Sequence, residues 1–280
     1  QVVVNNPRIP ARIRQALNIE AGLNDGISLP FLMLFVALAS ADPGVGRFAW
    51  IGYTLQQIGF GILIGLAIGW LGGWLLHHAK KRAWMTETFQ LLSLLCLALL
   101  AWGLAEQVGG NGFLAAFTGG IFVKVGFERA GEHMIEFIEA WGQLLSFAVF
   151  YLFGMLAAPD LGRFSAVIVL YALLSLTLVR MVPVAVSLVG TRLKPASVLF
   201  LGWFGPRGLA SVVLGLVYLK QKAHLPGEKL IILAIVATVL LSVFAHGISA
   251  LPASRWYVRQ VEGMEPGAPE LAAVGDASAQ

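Results

Sequence analysis

The chain has 280 residues, 58% of them hydrophobic and only 12% charged, with a mean hydropathy of +0.80. Soluble domains sit near about 45–50% apolar and roughly 25% charged, so these proportions exclude a soluble domain and call for an all-α polytopic membrane protein. The net charge of +4 is scattered between apolar runs, which excludes a nucleic-acid patch, and the lone Cys96 excludes an internal disulfide.

The N-terminus shows no charged segment followed by a short apolar core, so no signal peptide is expected. It opens on Val2-Val3-Val4-Asn5-Asn6-Pro7, as if cut from the end of an earlier helix. Eight apolar stretches follow that are long enough to cross a bilayer, each near the ~20 residues this needs. They are 17–40, 50–76, 86–107, 109–127, 141–158, 165–190, 196–219 and 228–251. Between the fourth and fifth, Glu128 to Ala140 mixes glutamates with Met134, Ile135, Phe137 and Ile138, the pattern of a short interfacial helix. The division expected is a transmembrane domain over 1–258 and a tail over 259–280. From Glu262 the tail is rich in Ala, Gly, Pro and acids, with little to bury, and is expected to be disordered.

Basic residues fix the expected orientation. Arg8, Arg12, Arg14, Lys80, Lys81, Arg82, Lys124, Arg129, Arg192, Lys194, Arg255 and Arg259 fall in one set of loops. The other set holds only Arg47, Arg163, Lys220, Lys222 and Lys229. The positive-inside rule then puts the first set, and both ends of the chain, in the cytoplasm. Gly59, Gly61, Gly65, Gly69, Gly72 and Gly73 line the second span at small-residue spacing, the mark of a helix-packing surface.

Four ionisable residues sit in or near spans: Glu20, Asp25, Arg180 and Arg207. An intramembrane acid is costly, roughly 2.5–3.5 kcal/mol on insertion scales, and reads first as an ion or proton site. The bland alternative is an Asp25 in a wet loop. Around Asp25, Gly22 and Gly26 let another backbone approach, and Pro30 removes the amide that would bond the Gly26 carbonyl. Ser28 shares the face of Asp25, and Asn24 stands beside it. A carboxylate, an amide oxygen and a freed carbonyl make a hard-oxygen site that suits an alkali cation. No Cys/His metal cluster is present. The seventh span contains Gly205-Pro206-Arg207-Gly208, which breaks a helix, and transporters place broken helices along ion cavities. His246 reads as a hydrogen-bonded anchor near the end of the last span.

Together these segments resemble the NhaP-like monovalent cation–proton antiporters. Asn18-Ile19-Glu20-Ala21-Gly22-Leu23-Asn24-Asp25-Gly26 is similar to that family's Asn-Asp ion-binding helix. Gly205-Pro206-Arg207-Gly208-Leu209-Ala210-Ser211 looks like its arginine-bearing broken helix, and Ala105-Glu106, Gly109–Phe117 and His246-Gly247 match recurrent segments in order. The resemblance implies a thirteen-helix inverted-repeat fold, of which this chain holds the last eight helices, and a homodimer in a bacterial-type plasma membrane. It implies that Asp25 binds cation and proton in turn, that Asn24 supports it, and that Glu20 pairs with Arg207. Many members carry serine where this chain has Ala21; Ser28 is the candidate substitute.

The function expected is electroneutral exchange of Na+, Li+ or K+ for H+ by alternating access, with lipid, cations and protons as partners and no cofactor. The alternatives are a K+-selective antiporter of the same fold, a cation channel, or a non-transporting membrane fragment. No nucleophile–base arrangement or phosphate loop points to an enzyme.

Overall fold

A computed structural model describes residues 3, 5–39, 47–127, 132–205, 211, 212, 215 and 227–272; at some helical positions, Asp25 and Gly26 among them, it describes the backbone alone. Helices dominate, and no strand occurs among the described residues. In order they are α1 (Ala11–Ala39), α2 (Arg47–Lys81), α3 (Glu87–Gln107), α4 (Gly112–Gly126), α5 (Glu132–Ala157), α6 (Ala166–Leu176), α7 (Leu178–Ser187), α8 (Pro195–Trp203) and α9 (Glu228–Glu262). Short 3-10 turns follow α5 at Ala158–Arg163 and α9 at Pro269–Leu271.

By length and composition, five of these segments can cross a membrane, and six if the bent α1 is counted. Large apolar side chains such as Phe147, Tyr151, Val167 and Ile248 stand exposed on them. The protein is therefore an integral, multi-pass membrane protein, its outer faces apolar because lipid is their solvent.

The departures from the expected eight spans have local causes. The fourth stretch forms only the 15 residues of α4, since Gly109 at φ +75° turns the chain and buried Asn111 caps the helix by accepting the Leu114 amide at 3.0 Å. The expected interfacial helix is not separate: α5 runs unbroken from Glu132 through Ala157. Composition changes near Ala140, but nothing there stops a helix. The sixth stretch is one candidate span, Ala166–Ser187, made of α6 and α7 together; they are divided only at Thr177, whose hydroxyl bonds the Leu173 carbonyl at 2.7 Å. Of the seventh, α8 is described, and most of the remainder lies outside the described residues. The last helix continues past 251 to Glu262, because Tyr257 and Val258 are buried on its inner face.

The chain divides into two units. The first comprises Gln1–Ala21, Phe153–Gln221 and Pro226–Gln280. Its core joins Ile9, just before α1, and Ile13 and Leu17 on it, three residues spaced four apart, to Phe200 and Leu201 of α8 and Tyr257 and Val258 of α9. Phe200 and Tyr257 stack with centroids 4.2 Å apart. This stripe is why α1 begins at Ala11, six residues before the apolar run does. The segment after α9 does not behave as an expected disordered tail up to Ala272: Ala268 and Glu270 are buried. Hydropathy gives no sign of this, because hydrogen bonds rather than apolar area hold it.

The second unit comprises Gly22–Leu152 and Lys222–Leu225. In it the glycine stripe of α2 meets α4. A Cβ at Gly61, Gly65, Gly69 or Gly73 would overlap the backbone of Asn111, Ala115, Gly119 or Val123 respectively. Both rows advance by four residues, so the two helices mesh along one ridge at backbone contact. Gly59 faces open space, and Gly72 faces Leu97 of α3. Gly69→Ala is therefore expected to lower stability by about 1–3 kcal/mol through overpacking. Gly59→Ala should be neutral or stabilising, as alanine favours helix. Thermal midpoints in detergent measure both; equal midpoints for the two variants would contradict the ridge.

Candidate functional site

One group of candidate residues lies on α1. Its segments Ala11–Asn24 and Ile27–Val36 meet at 42°, so Asp25 and Gly26 sit at the bend. Buried Pro30 accounts for it: without an amide hydrogen it cannot close the ladder onto the Gly26 carbonyl. Ser28 Oγ donates to Asn24 Oδ1 at 2.7 Å. The hydroxyl proposed as a substitute ligand is thus engaged in orienting the Asn24 amide. Gly22 lets the Phe117 ring of α4 close onto the helix, where a Cβ would overlap it. The side chain of Asp25 lies outside the described residues. What the backbone and neighbours supply is an amide oxygen, a hydroxyl and a freed carbonyl, all hard oxygen donors.

The other group lies in the first unit. Glu20 Oε1 forms an ion pair with Arg180 Nη1. The Arg180 side chain is 14% exposed and that of Glu20 30%. Arg180 also fills the space beside Gly205, where a Cβ would overlap its guanidinium. Its Nε and Nη2 are buried and make no hydrogen bond among the described residues. The expected partner of Glu20 was Arg207; Pro206, Arg207 and Gly208 lie outside the described residues. Arg180 is the residue whose role sequence reasoning missed. Its signal was present, since it is one of two arginines inside spans, but spacing along the chain does not say which of the two reaches Glu20.

Helix α8 ends at Trp203, two residues before Gly205. A helix end leaves carbonyls without partners and carries partial negative charge. Two groups on α9 meet this end. His246 Nε2 donates to the Trp203 carbonyl at 2.8 Å, and Trp203 Nε1 donates to Ser249 Oγ at 2.8 Å. The Trp203 and His246 rings lie 5.0 Å apart. His246 Nδ1 stays within α9, near the Ser242 carbonyl and hydroxyl. His246 is an anchor, as expected from the sequence. Losing it strands one carbonyl, and His246→Ala should cost about 1–3 kcal/mol. His246→Gln, which keeps a donor, should restore part of that in a thermal melt; no difference between the two would argue against the Trp203 bond.

In the second unit, Glu106 Oε1 accepts the Gly112 amide at 3.1 Å and the Asn111 amide donates to the Gln57 carbonyl at 2.9 Å. The Gly-Gly-Asn-Gly segment is thus a turn that seats α4 on α2.

Residues 1–256 match the family described as sodium/hydrogen exchanger, transmembrane. The chain is 28% identical over 241 residues to Na(+)/H(+) antiporter 2 of Zygosaccharomyces rouxii, covering 79% of this chain and 29% of that protein. It is 25% identical over 247 residues to K(+)/H(+) antiporter NhaP2 of Shewanella sp. (strain ANA-3), covering 87% and 42%. It is 24% identical over 256 residues to K(+)/H(+) antiporter NhaP of Alkalimonas amylolytica, covering 91% and 43%. The chain spans less than half the length of these relatives. No solved structure matches it.

Proposed function

Because this chain belongs to the sodium/hydrogen exchanger transmembrane family, we propose that the whole protein exchanges a monovalent cation for protons across the membrane. The observation that carries this reading is the bend of α1 at Asp25, with the Asn24 amide held by Ser28 beside it. Desolvation favours a protonated carboxyl, while a bound cation favours the carboxylate. Asp25 therefore holds a proton or an alkali ion, one at a time. If the protein changes its exposed side only when the carboxyl is occupied, exchange follows without covalent chemistry. Asn24 is neutral, so a single carboxylate changes occupancy. That favours one cation for one proton and no net current.

The Glu20–Arg180 pair places a compensated charge where α8 breaks off, and it supports the site without binding cargo. By the positive-inside rule both ends of the chain are cytoplasmic, in a plasma membrane of bacterial type. By family resemblance the protein is a homodimer, and Na+, Li+ and K+ are the candidate cargoes. Potassium has specific support, since the Shewanella and Alkalimonas relatives are named K(+)/H(+) antiporters.

Everted vesicles carrying the full-length protein test the reading. Each alkali cation, added in turn, should collapse a preformed proton gradient if it is cargo. A gradient untouched by all three would overturn exchange. A steady current in a planar bilayer would point instead to a channel.

A further inference from the structure

The segment after α9 carries a carboxylate in an unexpected place. Glu270 is fully buried. Its Oε1 accepts the Lys194 amide at 2.6 Å and the Ser197 hydroxyl at 2.8 Å. Ser197 Oγ in turn lies 2.9 Å from the Tyr257 hydroxyl of α9. One residue before Glu270, the Pro269 carbonyl accepts from Arg12 Nη1 of α1 at 2.9 Å. A single turn of chain thus bonds α1 and the start of α8 at once, and through Ser197 it is linked to Tyr257 of α9.

The chemistry is that of a helix cap supplied from a distance. Lys194 stands at the N-cap position of α8 and provides no side-chain cap of its own. The first amides of a helix lack partners, and the helix dipole favours an anion there. A carboxylate meets both needs with charge-assisted hydrogen bonds. The helix it caps is short, and its nine residues span about 13 Å. At the far end come Trp203, held by His246, and Gly205, packed against Arg180 and so against Glu20.

We propose that Glu270 is a positioning residue for the break: as an N-cap supplied from beyond α9, it fixes the height and rotation of α8 against α1 and α9, and so sets where Gly205 meets the Arg180–Glu20 pair. The segment is then a brace, and its effect on exchange travels through α8.

The pH dependence of the brace has a definite sign. The titratable groups that act on Glu270 are Lys194 before α8 and Tyr257 on α9; Arg12 of α1 bonds the neighbouring Pro269 carbonyl. Burial pushes its carboxyl up, but the Lys194 amide, the Ser197 hydroxyl and the Lys194 charge outweigh burial and hold it below its ordinary value. A depressed value means that the brace contributes fully above the ordinary carboxylate range and is lost as pH falls through the depressed value. Acid should detach it; neutral and alkaline conditions should not.

The test uses the full-length protein with a spin label at Leu271→Cys in a Cys96→Ser background. Leu271 is exposed and takes no part in the contacts above. The label should be immobilised at pH 7, be freed as pH falls through the depressed carboxyl value, and be mobile already at pH 7 in Glu270→Ala. Glu270→Ala should raise the apparent KM for the cation at least fivefold in proteoliposomes, and Glu270→Asp should restore part of it. Thermal midpoints of Glu270→Ala and Glu20→Gln should combine non-additively, although sites this far apart normally add. The activity arm rests on the exchange reading; the midpoints do not. A wild-type protein that exchanges nothing would count against that reading alone and leave the midpoints to decide. A label freed by Glu270→Ala with an unchanged KM, or additive midpoints, would overturn the proposal.

Discussion

Asp25→Asn in the full-length protein is expected to abolish cation-dependent proton flux while leaving the protein folded. Asparagine has nearly the size and shape of aspartate and keeps one oxygen acceptor. It cannot take up a proton in the working pH range, and it cannot balance the charge of a bound cation. Neither neighbour can replace it, because Asn24 is neutral and the Ser28 hydroxyl is engaged with Asn24. Stability should hold or rise, since an ionisable group within a span costs roughly 2.5–3.5 kcal/mol on insertion scales. Proton flux in everted vesicles, paired with a detergent melt, measures both quantities. Retained flux driven by sodium or potassium would remove Asp25 from the mechanism.

Neutralising Glu20 should produce the largest loss of stability. Glu20→Gln leaves the Arg180 guanidinium in a space where two of its donors already lack partners. Breaking a buried ion pair from one side costs about 3–5 kcal/mol. Glu20 retains some access to water, which screens the pair, so about 2–3 kcal/mol is expected here. Arg180→Gln should cost less, because the stranded carboxylate is the better exposed partner. The double variant should recover part of the loss. A double-mutant cycle against Arg207→Gln distinguishes the pair seen in the structure from the one implied by family resemblance. Coupling to Arg207 without coupling to Arg180 would defeat the assignment made here.

Much of the fold was legible because the membrane imposes a length and a polarity on every helix. α3 lies where its apolar run does, and α2 and α9 cover theirs. The α2 glycines were legible as a packing surface, and their four-residue spacing found its match in α4. The errors came where hydropathy carries no information. A change of composition near Ala140 does not end a helix, and a cap such as Asn111 can shorten one inside an apolar run. At the candidate site, Asn24, Asp25 and Pro30 stand out in the sequence because a charge and a proline are both exceptional within a span. The partner of Glu20 was not, since two arginines lay within reach of the same argument.

By itself the sequence determined that this is a helical membrane protein, and it singled out Asp25 within an early span as exceptional, because burying charge and unpaired backbone in lipid is costly. Only the tertiary structure decided which arginine answers Glu20, which α2 glycines meet α4, and that Glu270 returns to cap α8. Those are contacts between residues far apart along the chain. They depend on where helices pack in space, which no local pattern of residues records.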